Sequence, residues 1–109
     1  MPDTLENLKK DAERLHAIVQ QITPYGKEAR THVRKAYSSY RDLCLKVCEI
    51  MNWDLESEYG ASLNRINKDL APDTGKKFQD AIDIISSNLG AIIRIEESWK
   101  LSPPNPEDS

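Results

Sequence analysis

The sequence predicts an all-α fold, an antiparallel four-helix bundle with helices over about 4–22, 24–51, 54–70 and 74–101. Three observations predict it. Apolar residues recur at alternating three- and four-residue spacings in four separate segments, the period that lays them along one side of a helix. No segment alternates apolar and polar residues between turn signals, as a half-buried strand would. Proline and glycine fall between the periodic segments, in Thr23-Pro24-Tyr25-Gly26 and Ala71-Pro72-Asp73-Thr74-Gly75, and connections this short favour antiparallel neighbours.

The first helix carries Leu5, Leu8, Ala12, Leu15, Val19 and Ile22 in strict register, with Ile18 widening the stripe. Asp3 followed by Glu6 has the spacing of a capping box. Lys9, Lys10, Asp11, Glu13 and Arg14 fill the wet side. Thr23 is then expected to cap helix two, with Pro24 at its first position, where a missing N–H costs nothing.

Helix two holds an unbroken heptad, Ala29, Val33, Ala36, Tyr40, Leu43, Val47 and Ile50, flanked by Tyr37, Cys44 and Met51. Continuing that heptad would bury Asp54 and Ser57, so the helix is expected to break at Asn52-Trp53-Asp54, with Asn52 or Asp54 capping the next helix. The alternative is that helices two and three are continuous as far as Leu70. Helix three would bury Leu55, Tyr59, Leu63, Ile66 and Leu70, weakened by Gly60, which costs about 1 kcal/mol of helix propensity relative to alanine. Helix four places Phe78, Ile82, Ile85, Leu89, Ile92 and Trp99 in register, with Ile84, Ile93 and Ile95 beside them. Gly90 interrupts it and reads as a point where a neighbouring helix packs closely. Trp53 and Trp99 are expected to plug helix ends. Residues 1–101 form one helical domain, and 102–109, with three prolines and no apolar residue, form a disordered acidic tail.

Composition narrows the function classes. A chain of 109 residues suits one domain. No apolar run approaches the roughly 18 residues of a spanning helix, and no leader pattern opens the chain, so a cytoplasmic protein without membrane contact is expected. Cys44 and Cys48 lie four apart on one helix; a disulfide across that spacing would strain it, so free thiols in a reducing compartment are expected. They flank the apolar stripe, where cysteine behaves as a small hydrophobe. No metal site is expected from His16, His32 and the cysteines, no cofactor motif is present, and no glycine-rich phosphate loop or nucleophile–base order appears. An enzyme is not expected.

The net charge is −3, but residues 23–52 carry six Lys/Arg against three Asp/Glu. Arg30, Arg34, Tyr37, Ser38 and Arg41 share one surface of helix two by three-four spacing. Guanidiniums grouped in this way bind carboxylates or phosphates. The blander reading of that face is solvation and pairing with acids on neighbouring helices. Together with the broad isoleucine face of helix four, it leads to a small non-enzymatic protein–protein interaction module of adaptor, inhibitor or immunity type, whose partner is another protein or a second copy of the chain.

A second reading starts at His32 and Lys35. The run His32-Val33-Arg34-Lys35-Ala36 resembles the H-x-x-K-G core of histidine phosphotransfer domains. That resemblance implies a four-helix bundle with His32 exposed on helix two as phosphoryl acceptor and Lys35 assisting the phosphoryl group. Ala36 stands in place of the family's glycine, and Arg34 where an apolar residue is usual. A third reading, nucleic-acid binding through Arg30, Arg34 and Arg41, is disfavoured by the overall negative charge and predicts steep salt dependence.

Overall fold

The computed structural model describes residues 4–70 and 75–101, with side-chain surroundings for 4–70 and 76–95. The fold is all-α. Five helices succeed one another along the chain: α1 (Leu5–Gln20), α2 (Ala29–Met51), α3 (Leu55–Glu58), α4 (Gly60–Asp69) and α5 (Gly75–Leu101), with no strand among the described residues. Asp3, the centre of the second predicted break, the side chain of Trp99 and the 102–109 tail lie outside the described residues.

α1 begins one residue later than expected, and its cap is Thr4, whose Oγ1 accepts from the Asn7 N–H at 3.1 Å. It ends at Gln20 rather than 22, tightened by Gln21 N–H to the Ile18 carbonyl and Ile22 N–H to that of Val19. The predicted start of helix two at 24 is wrong. Gly26 takes φ +104°, a left-handed conformation no helix accommodates, and α2 starts only at Ala29. Pro24 therefore belongs to the turn, not to a first helical position.

α2 does stop where the heptad would have buried Asp54. Asn52 adopts the left-handed conformation, φ 60° and ψ 42°, and the Trp53 N–H reaches back to the Cys48 carbonyl at 2.9 Å. This six-to-one bond closes a Schellman turn, which excludes a continuous helix two and three. Asp54 caps α3, its Oδ2 accepting from the Ser57 N–H at 2.9 Å and from the Ser57 hydroxyl at 3.0 Å. The predicted third helix is divided. Tyr59, at φ −127°, leaves helical geometry between α3 and α4, and its ring packs on the core. Gly60 comes next, with the Glu56 carboxylate 2.7 Å from where a Cβ would stand.

One core joins these elements. Leu8, Ala12, Leu15 and Val19 of α1 meet Val33, Ala36, Tyr40, Leu43 and Val47 of α2, Leu63 and Ile66 of α4, and Phe78, Ala81, Ile82, Ile85, Leu89 and Ile92 of α5. α5 lies along α1 and also touches α2 and α4. Ile84, Ile93 and Ile95, the flank of the isoleucine face, are partly buried and pack on the same core.

The stripe departs from expectation at two residues. Ile18 is 53% exposed and Ile50 is 38% exposed. A strict heptad drifts about 20° per repeat around a straight helix. By Ile50, three repeats after Ala29, the seventh-residue row has left the core, and Cys44, Cys48 and Met51 take over the buried side. Gly90 is also not what its sequence context suggested. An added Cβ there would meet nothing nearer among the described residues than its own helix's Arg94 Nη1 at 3.6 Å, so no close helix crossing requires it.

Candidate functional site

The residues singled out on α2 occupy two flanks of that helix, separated by its buried side. At 100° per residue, Arg30, Arg34, Tyr37, Ser38 and Arg41 fall on one flank and His32, Lys35 and Ser39 on the other.

The first flank lies toward α4. Tyr37 is its inner edge: half-buried, its ring packs on the core and its hydroxyl donates to the Leu63 carbonyl at 3.5 Å. It therefore ties α2 to α4 and is not presented outward. Arg30 is half-buried, while Arg34, Ser38 and Arg41 are exposed. Among the described residues neither Arg34 nor Arg41 forms an ion pair, so pairing with neighbouring helices does not account for them. One turn beyond Arg41 stands Leu45, 46% exposed. Arg34, Ser38, Arg41 and Leu45 thus make one outward row at i, i+4, i+7 and i+11. Sequence reasoning missed Leu45, although its position off the heptad was a sufficient signal.

The second flank faces α1 across a groove. At one end Asp11 and Arg14 line it with Asp42, Leu43 and Lys46; at the other, Ile18, Gln21 and Ile22 line it with His32, Lys35 and Ala36, while Leu15, Ile18 and Ser39 are common to both. Rising numbers on α1 meet falling numbers on α2, so these two helices run in opposite directions. The small side chains of Ala36 and Ser39 line it beside Ile18. His32 and Lys35 do come together on its lip. The His32 side chain is 53% exposed and its Nε2 lies 3.6 Å from Glu28 Oε1.

Neither cysteine is poised for chemistry. Burial pushes the Cys44 thiol up to about 12, the neighbouring Tyr40 hydroxyl only partly opposing it, and burial likewise raises Cys48. Both stay protonated and unreactive near neutrality. Tyr40 and Tyr59 are also raised by burial, with the adjacent Cys44 adding to it.

Tyr40, placed by its spacing on the apolar stripe, is buried there and is also the hub of a polar chain through the core. Asn88 Nδ2 donates to the Tyr40 hydroxyl, and that hydroxyl lies 3.1 Å from Ser62 Oγ. Ser62 spends its own hydrogen on the Tyr59 carbonyl at 3.0 Å. The Tyr40 oxygen accepts from Asn88 of α5, and its own O–H has both Ser62 Oγ of α4 and the neighbouring Cys44 sulfur as acceptors, so the tyrosine links α5 through α2 to α4. His16 is similarly structural, its Nε2 lying 3.2 Å from Ser86 Oγ, which also accepts from Gln20.

Asp69 is the one buried charged residue among those described, 2% exposed, with Lys77 Nζ at 3.7 Å and Arg65 Nε at 3.8 Å. Among the described residues no three His, Cys, Asp or Glu converge, and no helix is long and apolar enough to cross a membrane. Comparison with protein-family models finds no match, and neither the curated proteins nor the solved structures give one.

Proposed function

We propose that this protein is a non-enzymatic protein-interaction module whose contact surface is the outward row of α2, Arg34, Ser38, Arg41 and Leu45. The observation that carries this reading is the exposed Leu45 in line with two arginines that have no ion-pair partner among the described residues. An apolar anchor beside guanidiniums suits a partner surface that carries carboxylates around an apolar pocket. The reading takes the fold as an up-down bundle whose third arm is α3 and α4 together. It moves the contact surface away from the isoleucines of α5, which pack inward, to α2. In a test, wild-type protein and the variants Arg34→Glu with Arg41→Glu, and Leu45→Glu, are used to capture partners from the source cells. A protein retained by wild type and lost by both variants is expected. The reading fails if wild type retains nothing specific or the variants retain the same set.

His32 supports a second reading, phosphoryl transfer, because its half-exposed imidazole shares the groove lip with Lys35. Incubation with a labelled phosphoryl donor is expected to give an acid-labile label on wild type and none on His32→Gln. An unlabelled wild type removes this reading.

A further inference from the structure

We propose that the His32 end of the α1–α2 groove binds a small amphipathic carboxylate, whose apolar body lies on Leu15, Ile18 and Ile22 and whose headgroup meets Lys35. The groove is a different surface from the outward row of α2 and would serve a different ligand. Its volume is about 400 Å³, within the range of small-molecule sites.

The floor is apolar, and Ile18 stands half in water over it, a side chain that gains from being covered. Among the described residues, the only ionisable groups lining this end are His32 and Lys35, and no carboxylate does. Glu28 lies 3.6 Å from His32 and engages its ring, so the cation left to the groove is Lys35, which has no ion-pair partner among the described residues. A polar, uncharged lip is completed by Ser39 and Gln21. An apolar trough with one cation at its edge and no competing anion inside it is complementary to a chain or ring ending in a single carboxylate. A neutral amphiphile would leave the ammonium unanswered, and a polyanion would have nothing to set against the apolar floor.

The test is a titration of isotopically labelled full-length protein with hexanoate and octanoate below their micelle concentrations and octanol below its solubility limit, read by amide chemical shifts. Saturable shifts confined to residues 15–22 and 32–39 are expected. Affinity should rise up to about fourfold per added methylene. Lys35→Met should weaken octanoate by up to about fivefold, the range of an exposed ion pair, and leave octanol unchanged. Ser39→Leu, which fills the groove from its exposed lip without touching the core, should weaken both. Equal binding of octanol and octanoate to wild type would overturn the headgroup assignment. Shifts elsewhere, or none, would overturn the site. If the same amides move with protein concentration alone, the groove belongs to a second copy of the chain and the proposal is wrong.

Discussion

Replacing Tyr40 by phenylalanine removes one oxygen from the core and nothing else, so its cost isolates the polar chain. Asn88 donates to that oxygen, and the hydroxyl lies 3.1 Å from Ser62 Oγ. In Tyr40→Phe, Ser62 still has the Tyr59 carbonyl as acceptor for its own hydrogen, whereas the half-buried Asn88 amide loses its acceptor. An unsatisfied buried donor costs about 1–3 kcal/mol. Asn88 is only half-buried, so the lower part of that range applies, about 1–2 kcal/mol, or a fall in Tm of roughly 5–15 °C for a domain this size. The assay is urea and thermal denaturation monitored by far-ultraviolet circular dichroism, with an unchanged urea slope showing that the unfolded reference has not moved. The decisive measurement is the cycle with Asn88→Leu. Once the donor is gone as well, no orphan remains, and the double variant should be at least about 0.5 kcal/mol more stable than the sum of the singles implies. A single-variant cost within about 0.5 kcal/mol, the scatter of an uninvolved site, together with additive singles, would refute the weight given to the Asn88–Tyr40 bond.

Gly90→Ala should stabilise by about 0.5–1 kcal/mol, since a mid-helix glycine carries that propensity cost and an added methyl meets only Arg94 Nη1 at 3.6 Å among the described residues; a destabilised variant in the same denaturation assay would show that a helix does approach there. Stability should be nearly constant with respect to Cys44 well below its ordinary value of 9.0 and fall as pH rises from there toward about 12, because the unfolded thiol ionises first while the buried one stays protonated; the slope approaches about 1.4 kcal/mol per pH unit for this group, and Cys44→Ala should reduce the slope between pH 9 and 10 without removing it, because the raised Cys48 thiol and the raised Tyr40 and Tyr59 hydroxyls contribute to the same fall. Asp69→Asn should cost about 1–2 kcal/mol, less than a fully buried ion pair because Lys77 and Arg65 are themselves half-exposed; an equally stable Asn variant in urea would show that the two cations contribute nothing to the α4–α5 junction.

Much of the fold could be read from periodicity, and its failures have two physical sources. A heptad count treats helices as if each supercoiled around a partner at 3.5 residues per turn. α2 behaves at 3.6. Over Ala29 to Val47 the difference is small enough that the count finds the core. By Ile50 it has rotated one residue out and brought Cys44 and Cys48 in. The helix ends obey backbone chemistry that periodicity does not encode. Pro24 fits a first helical position as well as a turn, and only the left-handed Gly26 decides between them. At Asn52 the same conformation stops α2, and there a residue that tolerates it was visible in the sequence. Tyr59 is harder to foresee, because its departure from the helix accompanies placing its ring on the core beside Gly60.

The candidate surfaces were less legible because exposure is settled by subtraction. An isoleucine beside the stripe in α5 and one beside the stripe in α1 look alike in the sequence. In the fold, α5 touches α1, α2 and α4, so Ile84, Ile93 and Ile95 find cover on either side of its central row. α1 is covered by α2 and α5, and the side of it that carries Ile18 faces the small Ala36 and Ser39. Sequence spacing grouped Arg30, Arg34, Tyr37, Ser38 and Arg41 correctly on one flank, but it could not say that Tyr37 bonds inward to Leu63 and that Leu45 takes the outward place. The exposed apolar residues are those that the connectivity leaves uncovered. Among the described helical residues the large apolar side chains left exposed, Ile18, Leu45 and Ile50, all stand on α1 and α2, whereas those of α5 are at least partly buried.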